Sequence, residues 1–365
     1  MLEYFIGVII GLYGIVHLIY VLHFWLKPSK IKILHSLQPL TIIIAVRNEE
    51  KNLPHLLQSL LLQDYPKEKM EVIIGNDQSE DNSLQILREW QEKYQWIKVI
   101  NIEKKLPHLQ GKQNVLAQLI PLASHENILM TDADIILPPT WIKTMLAHLD
   151  KQDMISAPTI VQGNRLFHHL QSLDWLFSIS VIKPFSDWGL PITAVGNNMG
   201  IKKNSYQKIG GYENLPFSLT EDYILFEKVV LKHHGKFEWV HLPQVLNISQ
   251  PVYDLKTFLH QRKRWYEGAK KGPWYAIFIF IHHIFIYPAL FLSFFIFPLS
   301  IAIFIVGFKW LIDFLWLWIA SASLKKQNLL KYFIPFQIYF MLITLLLPWY
   351  FWTAQKVKWK GRIYQ

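Results

Sequence analysis

The chain contains no cysteine, which excludes disulfides, thiolate nucleophiles and cysteine-based zinc sites together. Charge is also scarce: Asp, Glu, Lys and Arg make up 18% of 365 residues, against 52% hydrophobic and 15% aromatic. That is too apolar for an ordinary soluble domain and too charged for a bundle wholly in lipid, so a part-soluble, part-embedded protein is expected. Acidic residues are the minority charge, and the formal net charge of +10 suits a surface facing anionic lipid or phosphate. No basic block and no nucleic-acid motif accompanies it, so no nucleic-acid partner is expected. The N-terminus lacks both the basic n-region and the small-x-small site of a cleaved signal peptide.

Long apolar runs, by contrast, are present at both ends. Residues 1–26 carry one charge, Glu3, over a length that spans a bilayer as a helix. Lys27, Lys30 and Lys32 follow, which places the next segment on the cytoplasmic side and the N-terminus outside. The layout read from this pattern is an anchor at 1–26, a cytoplasmic domain at 27–273, a membrane region at 274–353 and a basic tail at 354–365. Within the membrane region, runs at 275–297, 298–320 and 332–352 allow two or three passes. Lys309 and Asp313 make the middle run the candidate for an interfacial or re-entrant segment.

Between residues 40 and 160 the pattern alternates. Short β-branched or apolar runs at 41–46, 72–74, 97–100, 128–130 and 154–155 predict strands, and 49–63, 82–94 and 112–120 predict helices. Such alternation implies an α/β fold, a Rossmann-like, mainly parallel sheet covered on both faces. Ligands of open sheets of this kind bind beyond the carboxyl ends of the strands. Three polar clusters fall at such ends: Arg47-Asn48-Glu49, Asn76-Asp77 and Asp132-Ala133-Asp134.

Each candidate residue has two readings. Asp132 and Asp134, one residue apart beyond a strand, are either loop carboxylates or hard oxygen ligands for Mg²⁺ or Mn²⁺ on a diphosphate. Asp77 either closes an Asx turn or accepts hydrogen bonds from a nucleotide. Lys112, after Gly111 at a helix start, is either solvated or reaches phosphate. In the stretch 218–235, Thr220 is placed to cap a helix, Glu221 and Asp222 fall in its first turn, and Gly235 ends it. These carboxylates either stabilise the helix or do chemistry. Gln261, Arg264 and Trp265 form either a membrane-interface girdle or a face that binds phosphate and borders sugar or lipid. Residues 168–188 read as an interfacial or an amphipathic core helix, and 194–200 as a glycine-bounded turn, with 196–199 as a candidate pocket wall.

Taken in order, Arg47-Asn48-Glu49-Glu50, Asn76 to Asp81, Asp132-Ala133-Asp134, Thr220-Glu221-Asp222 and Gln261 to Trp265 resemble the membrane-bound, inverting family 2 glycosyltransferases of GT-A fold. Chain length and the Trp-Lys-Gly-Arg tail resemble the ceramide glucosyltransferase branch in particular, and Asn76 departs from the second Asp of many relatives. The resemblance implies a GT-A domain flanked by membrane helices in the inner membrane, with a UDP-sugar donor, a lipid acceptor and Mg²⁺ or Mn²⁺. It implies donor binding by Ala45, Arg47, Asn48, Glu49, Asp77, Lys112, Asp132 and Arg264, and metal ligation by Asp134 with Asp132. Asp222 becomes the general base, supported by Glu221, with Gln261 and Trp265 closing over the donor beside the acceptor. A processive polysaccharide synthase is the alternative, and a non-catalytic nucleotide-sugar-binding subunit stands behind it.

Overall fold

The computed structural model describes residues 1–353, 357–359 and 362–364; of the basic tail, Lys356, Lys360 and Gly361 lie outside the described residues. The first apolar run is one helix, α1 (Leu2–Leu26). Alternation then gives β1 (Leu40–Val46), α2 (Leu53–Leu61), β2 (Met70–Asn76), α3 (Ser83–Lys93), β3 (Ile97–Asn101), α4 (Gly111–Leu119) and β4 (Asn127–Asp132). Shorter pieces follow: β5 (Ile135–Ile136), α5 (Trp141–Leu149), β6 (Met154–Ser156), β7 (Thr159–Val161), α6 (Leu166–Ile179) and α7 (Ile182–Asp187). Next come β8 (Asn198–Lys202), α8 (Lys203–Lys208), α9 (Glu221–Phe226), β9 (Phe237–Trp239), β10 (Asn247–Ser249) and α10 (Leu255–Ala269). The apolar helices α11 (Trp274–Ile296), α12 (Leu299–Ser323) and α13 (Phe333–Thr353) precede an antiparallel pair, β11 (Val357–Trp359) and β12 (Arg362–Tyr364).

The main sheet has seven strands in the order β3-β2-β1-β4-β8-β6-β9, all parallel except β8. The central strand β1 buries Leu40, Ile42, Ile43, Ile44 and Val46, which a strand covered on both faces requires. On one face α2, α3 and α5 supply Leu53, Leu57, Leu87, Trp141 and Met145; on the other α4 and α9 supply Val115, Leu119, Leu225 and Phe226. The mainly parallel α/β sheet read from the alternation is therefore present. A second, three-stranded sheet, β5-β10-β7, lies beyond the DxD turn, since β5 begins one residue after Asp134.

Three sequence expectations change. The glycine-bounded turn stops at Asn197, and Asn198 and Met199 are buried in β8. Gly200 is there for packing, because a Cβ would sit 2.8 Å from Leu129. Second, Thr220 occupies the cap position of α9 without a side-chain capping bond; its hydroxyl lies 3.3 Å from Ser218 Oγ. The helix continues as a π-helical turn over Glu227–Lys232. His234, at φ 55°, takes the left-handed position expected of Gly235, while Gly235 is held by close approach to the Val229 carbonyl.

The third concerns α12, a continuous 25-residue helix in place of a re-entrant segment. Its two charges are satisfied inside the bundle. Lys309 Nζ lies 2.7 Å from Asp313 Oδ2 and donates to Tyr287 Oη at 3.0 Å and Gln337 Oε1 at 2.8 Å. Asp313 also accepts from Tyr13 at 2.6 Å and Gln337 at 3.0 Å. All four apolar helices, α1 and α11 to α13, are long and apolar enough to cross a membrane. Lys309→Met should leave the Asp313 carboxylate buried without its counter-ion and cost roughly 3 kcal/mol. Thermal unfolding in detergent checks this, and adding Asp313→Leu should recover much of the loss.

Helix α6 resolves to a buried layer. Leu170 to Phe177 are all buried, packed on β7 below and α12 and α13 above. The stretch read as one helix over 168–188 is two, α6 and α7, with Asp187 and Trp188 exposed at its end.

Candidate active site

The strand ends meet as the topology predicts. Ala45 pairs across the sheet with Gly75 on one side and Asp132 on the other, and Val46 with Asn76. Beyond them two loops are stitched together. Arg47 donates to the carbonyls of Asp77 and Gln78 at 2.7 and 3.2 Å and to the Glu80 carboxylate at 3.2 Å. The Asn48 and Glu49 amides donate to Ser79 Oγ and Ser83 Oγ, and Asn48 Oδ1 accepts from the Glu80 amide. Asn48 and Gln78 both adopt positive φ, 52° and 54°, in these turns. Glu49 is buried, with its carboxylate on Asn52 at 2.6 Å. Asn76 is spent on Asn101 at 2.8 Å, which leaves Asp77 as the carboxylate of the pair.

At the next strand end a lysine joins the acidic clusters. Lys112, in the first turn of α4, places Nζ 2.5 Å from Asp132 Oδ1 and 2.8 Å from Glu221 Oε1. Burial pulls the ammonium pKa down, but Asp132 and Glu221 outweigh it and hold the pKa above its ordinary value. The neighbouring Gln113 fixes the loop before α9, donating to the Pro216 carbonyl at 3.1 Å and accepting from the Ser218 amide at 2.9 Å. Two adjacent residues of α4 therefore set where Glu221 and Asp222 stand.

Asp222 is held by the backbone: Oδ2 accepts from the Gly196 amide and Oδ1 from its own following amide, Tyr223, both at 2.8 Å. A Cβ on residue 196 would lie 2.9 Å from Asp222 Cβ, so Gly196 of the 196–199 segment packs directly against this side chain. Desolvation and then the Glu221 charge push Asp222 up to about 6, with Lys112 and the two amides acting against them. A carboxylate poised there is ionised at neutral pH yet basic enough to accept a proton in a reaction. Tyr212, buried beneath, donates to the Glu221 carbonyl at 3.0 Å.

Helix α10 closes the rim. Asp254 caps it, accepting from the Thr257 amide at 2.8 Å. Arg264 donates to the Leu219 carbonyl at 3.3 Å, and Gly268 admits Thr220 so closely that a Cβ would meet its Oγ1 at 2.2 Å. Trp265 stands edge-on to Trp175 of α6, centroids 5.1 Å apart, and Gln261 is half-buried one turn earlier. Sequence reasoning missed Gln113, Arg262 and Asp174. Arg262 lay within a basic aromatic stretch that also reads as a membrane girdle, and its partner Asp174 is 88 residues away.

Among the described residues no group of three His, Cys, Asp or Glu could hold a metal. The donor set still fits Mg²⁺ or Mn²⁺, which take one or two carboxylates and complete their shell with water and diphosphate oxygens. Asp132 and Asp134 supply hard oxygens at a strand end, and Ser249 donates to Asp134 at 3.4 Å.

Comparison with known proteins bears on the family and the fold. Over 273 residues the chain is 25% identical to a poly-beta-1,6-N-acetyl-D-glucosamine synthase of Staphylococcus epidermidis, covering 72% of this chain and 64% of that one. It is 26% identical over 246 residues to a probable glycosyltransferase, YdaM, of Bacillus subtilis, covering 64% and 56%. The chain thus spans less than two thirds of the length of these relatives. Among solved structures, a mannosyltransferase from Pyrobaculum calidifontis, in complex with GDP-Man and Mn²⁺, superposes over 96% of both chains with a TM-score of 0.58 at 16% identity. That likeness is one of fold, and it matches the expected GT-A type. The profile of glycosyl transferase family 21 covers residues 6–365, essentially the whole chain, and the chain belongs to that family.

Proposed function

We propose that this glycosyltransferase moves a single sugar from a UDP-sugar, with inversion, to a lipid hydroxyl at the cytoplasmic face of the inner membrane. The observation that carries the reading is Lys112, whose one ammonium bridges the diphosphate end of the site, Asp132, to the acidic pair at the base, Glu221 with Asp222. Donor and acceptor chemistry therefore share one electrostatic cluster.

In this reading Asp77, with the Arg47-Asn48-Glu49 loop that shapes it and Ala45 beside it, receives the uridine. Asp132 and Asp134 hold a divalent cation, which when bound neutralises the diphosphate. The acceptor oxygen bonds to the anomeric carbon as the bond to the diphosphate breaks, and Asp222 takes the hydroxyl proton. No glycosyl-enzyme bond forms, in contrast to the two-step retaining scheme. Lys112 and Arg264 face the charge that gathers on the leaving diphosphate, Glu221 keeps Lys112 in reach, and Gln261 and Trp265 border the acceptor. The ceramide glucosyltransferase-like branch supports a lipid acceptor. So does α6, which carries apolar side chains from the site to the apolar helices.

A processive synthase is the second reading, favoured by the polysaccharide-synthase relatives. Against it, Tyr13, His17, Lys309, Asp313 and Gln337 are all buried among the four apolar helices and fill the interior that a glycan strand would need. Membranes containing the protein, given labelled UDP- and GDP-sugars with Mn²⁺ or Mg²⁺, distinguish them. Label should enter the solvent-extractable lipid and disappear with EDTA; label in large polymer would instead establish the synthase, and dependence on GDP-sugars would overturn the donor assignment.

A further inference from the structure

Helix α10 carries Gln261, Arg264 and Trp265 to the site, yet it is anchored from its other side. Arg262, between them, turns away from the rim, and its terminal nitrogen donates to Asp174 Oδ2 of α6 at 2.6 Å. The same oxygen accepts from Tyr339 Oη of α13 at 3.1 Å. Both charged side chains are largely buried, 12% and 7% exposed, so neither has water to fall back on. One carboxylate oxygen thus ties the α10 helix, the buried α6 layer and an apolar helix together.

The tie reaches Trp265 by two routes. The Arg262 guanidinium lies over the Trp265 ring at 4.6 Å and over Phe258 at 4.8 Å, so fixing Arg262 fixes one face of the indole. Trp175, the residue after Asp174, meets Trp265 edge-on. Arg262 Nε is buried without a partner among the described residues, so Asp174 is the guanidinium's one carboxylate contact. Helix α10 also meets α13 through the Tyr350–His260 bond at 3.2 Å, the stacked Tyr266–Phe351 pair and the edge-on Phe258–Tyr339 pair.

We propose that Asp174 is a positioning residue for transfer: through Arg262 and Trp175 it sets the orientation of Trp265 at the acceptor side, and through Tyr339 it makes that orientation depend on the seating of α13. The assignment of Trp265 to the acceptor side rests on the glycosyltransfer reading above; the tie itself does not. Without the Asp174 charge, Arg262 swings from between Phe258 and Trp265, and the indole loses two of its walls. Of the residues assigned to the donor, Arg264 is the one on α10, and the others lie on the strand ends and α4, so the tie bears on the acceptor side more than on nucleotide binding.

The test compares wild type, Asp174→Asn, Tyr339→Phe, Arg262→Lys and the swapped pair Asp174→Arg/Arg262→Asp, each as full chain in detergent. UDP affinity with Mn²⁺, kcat, acceptor KM, Tm and backbone hydrogen exchange of residues 255–269 are read together. Asp174→Asn should lower kcat/KM for the acceptor on the order of a hundredfold, the scale of a small misplacement near the chemistry, with a much smaller change in UDP affinity. Exchange across 255–269 should rise, and Arg262→Lys and the swapped pair should recover part of the activity. Activity and UDP affinity falling together with Tm would mark a merely structural ion pair and overturn the proposal, as would unchanged exchange. If wild type transfers no sugar, the glycosyltransfer reading fails by itself, and exchange in Asp174→Asn still decides whether the tie holds α10.

Discussion

Asp222→Asn is expected to lower kcat by about a thousandfold or more, within the range general-base catalysis contributes, and to leave UDP affinity intact. The asparagine keeps the size and can still accept from the Gly196 amide, so the pocket stays built while the proton acceptor is lost. A pH profile carries the same argument further. Asp222 must be ionised to act, and its pKa is held at about 6, so kcat/KM should rise with pH through about 6 and then level off. The stability sign is opposite. Because the folded state holds the proton more tightly than the unfolded chain does, stability falls as pH rises from the ordinary carboxylate range through about 6. Asp222→Asn should therefore raise Tm at pH 7 and leave it nearly unchanged at pH 4. A variant that loses both activity and Tm at neutral pH would refute the assignment of Asp222 as a strained base.

Lys112→Met is expected to lower kcat/KM on the order of a thousandfold, because a single substitution removes two effects. The leaving diphosphate loses a cation aimed at it, a contact of the kind whose removal costs roughly a hundredfold to a thousandfold. Asp132, Glu221 and Asp222 lose the positive charge between them, and since Lys112 acts to lower the Asp222 pKa, the acid limb should move to higher pH. UDP affinity should weaken here, unlike in Asp222→Asn, and more at low than at high Mn²⁺ concentration. Lys112→Arg restores charge without the reach of a compact ammonium and should recover binding before turnover. If the limb stays in place while affinity drops, Lys112 serves the donor alone.

Much of this site is legible in the sequence because its carboxylates sit where strands end. Asp77 and Asp132 follow β-branched runs buried on both faces, and such runs stand out from any sequence context. The small sheet β5-β10-β7 is not legible, since two or three residues such as Ile135–Ile136 carry no periodicity. Asn198 and Gly200 read as turn residues but serve packing: Asn198 accepts from Trp141 Nε1 at 2.8 Å and donates to the Pro158 and Val245 carbonyls, and Gly200 makes room for Leu129. Lys112 at its helix start reads as either solvated or reaching phosphate, whereas its bridge to Glu221 joins positions 109 apart in the chain, and Arg262–Asp174 spans 88. Spacing rules reach a few turns of helix; ion pairs across a fold are set by how sheets and helices stack.

The charged pair inside α12 has a further consequence, for how the chain is made. A lysine or aspartate at the centre of a helix entering a bilayer singly costs roughly 2.5–3.5 kcal/mol each, so α12 is a poor substrate for membrane insertion by itself. Of its partners, Tyr13 was synthesised 300 residues earlier, whereas Gln337 leaves the ribosome 24 residues after Asp313. The growing chain thus offers α12 a waiting hydroxyl on α1 well before the amide on α13 arrives. The first helix would then serve as an assembly template for α12. An apolar leader of equal length and hydrophobicity, but without Tyr13, would tether the domain yet deliver α12 to the bilayer less efficiently.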